Sequence, residues 1–160
     1  KILSIKDVVV YGEQCTKKCP RAGSLSFNVR DIDHGIVAAV LNDYHNIAVR
    51  NECFCAHPYV EEMLKLTHSP HIIEAKKKQE NIPWHTEPWM GMVRVSFGMY
   101  NSHDDVISFI EALDDICQNK DKYKKLYSLN IDGDYIHKSF KFSSKEYFSL
   151  TETVNKDLSK

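Results

Sequence analysis

Two cysteines and a histidine stand close together in the polar stretch RNECFCAHPY, Arg50 to Tyr59, directly after the apolar run Ile47-Ala48-Val49. Cysteine is among the most buried residue types, and its thiolate is the form that acts as a nucleophile or metal ligand. A pair in a polar loop therefore points to thiol chemistry. Arg50 and His57 flank Cys55 closely enough in sequence to favour its ionised form. A second arginine, Arg94, lies inside the alternating segment Met92-Val93-Arg94-Val95-Ser96-Phe97. A guanidinium is always charged and presents a two-pronged donor suited to a carboxylate. One loop thus offers a nucleophile and one strand a fixed cation.

The elements that would position these residues alternate between strand and helix. Val8 to Tyr11 and Leu25 to Val29 read as short strands, the first at an edge, and Ile47 to Arg50 as a third that delivers the cysteine loop. Asp33 is suited to cap a helix whose apolar stripe is Ile36, Val37, Val40, Leu41 and Tyr44, with Asn46 closing it in a left-handed conformation. Pro58 fits the first turn of a second helix with Val60, Met63, Leu64 and Thr67 inward, ended by Ser69-Pro70. Met92 to Phe97 reads as a strand. Ser102 and Asp105 form a capping box ahead of the stripe Val106, Phe109, Ile110, Leu113 and Ile116. Asp132-Gly133-Asp134 marks a turn, and Ser143 or Ser144 could cap a last helix containing Tyr147, Phe148 and Val154.

Composition bounds the class. With 160 residues, 42% hydrophobic, the chain can bury one core. A net charge of −1 gives no electrostatic case for nucleic acid or an anionic membrane as partner, and no apolar stretch approaches a membrane span. The runs Lys76-Lys77-Lys78 and Lys120 to Lys125 read as solvated faces. Five cysteines, two of them at Cys53 and Cys55, suit a reducing compartment and hence the cytoplasm. Cys15 and Cys19, four apart, together with Cys53 and Cys55, supply enough thiolates for a structural zinc site in a binding module, with His57 as a fifth donor. Neither spacing is the common two-residue knuckle. A disulfide between Cys53 and Cys55 is disfavoured by the divergent side-chain directions of residues so close along a chain.

Four stretches, taken in order, resemble the C-terminal small domain of the class V aminotransferase family, which includes the cysteine desulfurases. They are Tyr11-Gly12 with Arg21-Ala22-Gly23-Ser24-Leu25-Ser26-Phe27-Asn28-Val29, Ile47-Ala48-Val49-Arg50, Cys55-Ala56-His57-Pro58, and Val93-Arg94-Val95-Ser96-Phe97-Gly98-Met99-Tyr100-Asn101. The resemblance implies an α+β fold, a small antiparallel or mixed sheet covered by helices on one face. Residues 1–118 would form that domain, with an insertion at about 67–90 that includes Trp84 and Trp89, and 119–160 a C-terminal extension packed on it.

The resemblance also implies chemistry. Arg94 matches the arginine that binds a substrate's α-carboxylate, and Cys55 matches the cysteine that takes sulfur from substrate cysteine, forming a persulfide and releasing alanine. Cys53, His57, Arg50 and Asn28 would support them. The family's cofactor is pyridoxal 5′-phosphate, held by a lysine in a large domain. No stretch here looks like that lysine's surroundings, and the chain opens at Lys1, so it is read as a piece of a longer protein that by itself binds no cofactor. The parent is expected to be a homodimer acting on an amino acid, cysteine or similar, and passing sulfur to an acceptor protein. A class V aminotransferase or lyase without persulfide chemistry is the alternative. Where desulfurases carry a glycine and paired histidines before the cysteine, this chain has Glu52, Cys53 and Phe54. The triplet Cys53-Phe54-Cys55 is similar to the molybdenum-cofactor sulfurases, and Ala56-His57-Pro58 to the desulfurases. Glu52 is expected to deny the loop a positive φ and to raise a neighbouring thiol's pKa.

Overall fold

Strand alternation and helical stripes meet in a two-sided sheet. The computed structural model describes residues 1–15, 17–20, 22–67 and 91–140. A four-stranded sheet is built from β1 (Val8–Val10), β2 (Ser24–Val29), β3 (Arg50–Glu52) and β4 (Met92–Ser96), in the spatial order β1-β2-β4-β3 with every pair antiparallel. The pairings Phe27 with Val93, Leu25 with Val95 and Val10 with Phe27 put one set of apolar side chains on one face. The pairings Ser26 with Arg94, Arg50 with Arg94 and Glu52 with Met92 put the polar set on the other.

The apolar face is covered by α1 (His34–His45) and α3 (His103–Gln118). Ile36, Val37, Val40 and Leu41 from the first, and Phe109, Leu113 and Ile116 from the second, are buried with Phe27, Val29 and Val93. The Phe27 and Phe109 rings meet edge to face at 5.7 Å. Asp33 caps α1, its Oδ1 accepting the Gly35 N–H at 2.7 Å. Asn46 closes the helix at φ 53°, as a C-cap asparagine can. The capping box forms at α3, where Ser102 Oγ accepts the Asp105 N–H at 3.2 Å and Asp105 Oδ2 accepts the Ser102 N–H at 2.7 Å.

A smaller apolar cluster lies on the other side of the sheet. Val60 and Leu64 of α2 (His57–Thr67) pack there with Met92, Tyr11 and Cys53. Pro58 sits in the first turn of α2, where its missing N–H costs no helical bond.

One boundary and one side chain differ from the sequence pattern. The third strand begins at Arg50 rather than Ile47, because the chain leaving α1 is still tied to it by the Ile47 N–H donating to Leu41 O at 2.9 Å. Tyr44 faces away from the sheet and is 46% exposed. It is covered instead by the segment after α3, where α4 (Lys120–Leu126) leads into the hairpin β5 (Tyr127–Leu129) and β6 (Tyr135–His137). The Tyr44 ring stacks edge-on to Tyr123 at 5.3 Å, and its hydroxyl lies 3.0 Å from His137 Nε2. Tyr123 and Tyr127 belong to the same core as Phe27.

Asp132-Gly133-Asp134 does form the hairpin turn, with Gly133 at φ 90° and Asn130 Oδ1 accepting from the Asp132 and Asp134 N–H groups at 2.9 and 2.8 Å. Arg21, the side chain of Thr67, Ser69-Pro70, the insertion with Trp84 and Trp89, and the helix expected after Ser143 or Ser144 lie outside the described residues. Among the described residues no helix is long and apolar enough to cross a membrane.

Candidate functional site

The polar face of the sheet brings the two arginines together. Because β3 and β4 pair in register at Arg50 and Arg94, both side chains leave the same face at directly opposed positions. Like charges so placed repel. Among the described residues, neither guanidinium has a carboxylate within ion-pair distance. Arg94 is half-buried, and its Nε lies beneath the surface without a hydrogen-bond partner. Its guanidinium carbon sits 5.0 Å over the Phe54 ring, a contact that engages the cation and uses none of its N–H donors.

Asn28 shares this face, two residues from Ser26, the partner of Arg94. Its Nδ2 donates to Gly91 O at 2.9 Å and Tyr11 Oη at 3.2 Å, which fixes the amide and leaves Oδ1 buried with no partner. Gly91 leads into β4 under a steric constraint. A Cβ there would collide with His34 Nε2 and come within 2.8 Å of Glu52 Cα. Burial holds His34 well below the usual imidazole range, at about 4, and its Nδ1 has no partner.

The cysteine loop follows Arg50 immediately. Glu52, Phe54 and Cys55 all have positive φ, at 77°, 53° and 61°. Glu52 therefore does not deny the loop its left-handed turn. The glutamate adopts the conformation at a strain of about 1–3 kcal/mol, of the order usual for such residues, because the turn is closed by the Ala56 N–H donating to Cys53 O at 2.7 Å. The two thiols are thereby sent to different surroundings. Cys53 is buried against the α2 cluster, and its pKa is raised by burial first and then by Glu52 and Glu61. Cys55 is exposed, with Arg50 Nη2 reaching 3.7 Å from its Sγ. His57 opens α2 and is exposed.

The site thus gathers Arg50, Cys55, Phe54 and Arg94, with Asn28 on the same face. It does not gather a metal centre. Among the described residues no three of His, Cys, Asp or Glu are placed to hold a metal ion, so Cys15, Cys19, Cys53 and Cys55 do not come together as a zinc site. Cys53 is committed to an apolar cluster and Cys19 to an exposed turn.

A family model, aminotransferase class V, matches residues 1–109. The chain belongs to the class V aminotransferase family. The matched region runs from the first residues through Phe109 and so contains the four-stranded sheet, both arginines and the cysteine loop, while the β5-β6 hairpin lies beyond it. No curated protein matches the chain as a relative. Members of this family work in general with pyridoxal phosphate. The polar face of this class V chain presents two opposed guanidiniums and a buried Nε without a partner.

Sequence spacing missed two participants. Phe54 was visible only as the middle of a cysteine triplet, and nothing along the chain signals that its ring lies under an arginine 40 residues later. His34 follows a helix cap and gives no sign of touching Gly91.

Proposed function

We propose that this chain is the small domain of a pyridoxal-phosphate-dependent enzyme of the class V type and that it supplies the carboxylate anchor and sulfur acceptor for an amino-acid substrate. The observation that supports this most is the in-register pair Arg50 and Arg94, which lacks a counter-charge among the described residues. Opposed cations on a partly buried face are stabilised by an anion between or beside them, and a bidentate carboxylate meets the fork of Arg94. Arg94 orients the substrate. Cys55, exposed and beside Arg50, receives the sulfur: an S–S bond forms as the substrate's C–S bond breaks and carbon gains a proton, so thiol plus cysteine gives persulfide plus alanine. The electron sink for that cleavage is the cofactor, held by the lysine of a large domain that is this domain's partner. The assembled enzyme is a cytoplasmic homodimer with a sulfur-acceptor protein as further partner.

A transaminase or lyase of the same family would keep Arg94 and dispense with Cys55. The strain stored at Phe54 and Cys55 favours the sulfur-transfer reading, since positive φ at two consecutive non-glycine residues turns a thiol outward at a conformational cost. In the assembled enzyme, Arg94→Ala should raise the apparent substrate constant about tenfold or more, from the 1.5–3 kcal/mol typical of hydrogen bonds to charged groups. Cys55→Ser should bind substrate but form no persulfide, read as loss of a 32-dalton adduct, the mass of one sulfur, on the Cys53 to Cys55 peptide. Normal kinetics in Arg94→Ala would remove the carboxylate role. Full turnover with both cysteines replaced would leave the transaminase or lyase reading.

A further inference from the structure

The Phe54 ring is the one described group that touches the face of Arg94 while leaving its donors free. We infer that Phe54 is a positioning residue of the carboxylate site, seating the Arg94 guanidinium through its ring and coupling occupancy of that arginine to the posture of the adjoining Cys55. The inference rests on the carboxylate role of Arg94 given above and adds to it a residue and a linkage.

Three observations carry it. First, an arginine side chain is long and loses rotamer freedom when it is fixed, so a site that must present its fork needs something to hold the cation. Hydrogen bonds or an acidic partner would hold it but would also consume the donors or the charge that a substrate needs. An aromatic face at 5.0 Å does neither. Second, Nε is buried and unpartnered, which is costly in a resting protein and is relieved when an acceptor arrives. Third, Phe54 is itself held at φ 53°, a strained value for an aromatic residue, and Cys55 follows at 61°. The ring is also packed against the Cys53, Val60 and Met92 cluster, so the loop is clamped on one side by α2 and on the other by Arg94. A carboxylate that pairs with the seated fork holds the guanidinium in the posture the ring favours, so docking and the second clamp strengthen each other. The left-handed backbone at Phe54 and Cys55 links that clamp directly to the thiol, so the posture of Cys55 changes when the substrate's acid group has docked.

The chain as it stands serves for the test, with acetate as the carboxylate probe and nitrogen-15 NMR as the readout. The Arg94 Nε–Hε signal is assigned by its disappearance in Arg94→Lys. In the wild-type chain a guanidinium whose carbon lies 5.0 Å over a ring should have its Nε–Hε signal displaced upfield, and acetate should move both this signal and the Cys55 amide along one saturation curve. Phe54→Leu keeps an apolar side chain and removes the ring. The Arg94 signal should lose its upfield displacement, acetate should bind about 2- to 30-fold more weakly, and the Cys55 amide should cease to respond. Phe54→Trp, which restores a ring face, should restore all three and shows whether a failure in Phe54→Leu is merely loss of folding.

Acetate affinity and Cys55 response unchanged in Phe54→Leu would overturn the role of Phe54 and leave the carboxylate role of Arg94 intact. An Arg94 signal that ignores acetate in the wild-type chain would overturn both. A wild-type Arg94 that responds while Cys55 stays still would overturn the coupling.

Discussion

Replacing Asp33 by asparagine should uncover a pH dependence of stability that the wild-type chain conceals. Asp33 is 8% exposed, and burial pushes its carboxyl up to about 6 despite the Gly35 N–H it accepts and its bond to the Tyr135 hydroxyl. Its neighbour His34 moves the other way, from the model-peptide value of 6.5 down to about 4, because burial disfavours the imidazolium. The folded state binds the Asp33 proton more tightly than the unfolded state. That contribution is fully present below pH 3.8 and is lost as pH rises through about 6. His34 stays neutral when folded, so its contribution is present above pH 6.5 and is lost as pH falls through about 4. Each displacement is a little over two pH units, equivalent to about 3 kcal/mol at full development. The windows nearly coincide and the signs oppose, so between pH 4 and 6 the two cancel.

Asparagine is as good an N-cap as aspartate, so Asp33→Asn keeps α1 capped while removing the titration. Its stability should rise by about 3 kcal/mol, relative to wild type, from pH 4 to 6.5. His34→Gln should show the reverse, falling by a similar amount over the same range, and the double variant should return to the wild-type slope. Urea unfolding midpoints at half-unit pH steps measure this, and the shared background from Asp7 and Asp105, both held below the usual carboxylate range by hydrogen bonds from Lys120 and Ser102, drops out of the differences. Parallel curves for all four proteins would refute the burial argument for both groups.

Alkylation should distinguish the two loop thiols: with iodoacetamide near pH 8, peptide mass spectrometry should show Cys55 modified well before Cys53, which is buried and has a raised pKa. Equal rates would mean that the loop does not seat Cys53 against α2. Gly91→Ala should destabilise the chain by about 1–3 kcal/mol in chemical denaturation, because its Cβ meets His34 and the Glu52 backbone. Pairing it with His34→Ala should recover part of that loss, whereas an additive loss would show that the His34 ring is not what crowds the site.

How much of this was legible along the chain differs by element. The stripes of α1 and α3, the Asp33 and Asn46 caps, the Ser102 capping box and the Asp132-Gly133-Asp134 turn follow from local rules, because a period of 3.6 residues and a side chain reaching its own backbone need no distant partner. Arg94 and Cys55 were nameable from residue type and from resemblance, since their order along the chain is itself the signal. What they touch was not. The opposition of Arg50 to Arg94 is set by the antiparallel register of β3 against β4, the seat of Arg94 by a ring 40 residues earlier, and the division of labour between Cys53 and Cys55 by three positive φ angles that turn one thiol into the α2 cluster and the other to solvent. Tyr44 shows the same limit, for its spacing placed it on the sheet and the hairpin after α3 claimed it. Periodicity encodes which face is apolar. Only folding decides which distant segment comes to cover it, because that choice depends on packing and register between residues far apart in the chain.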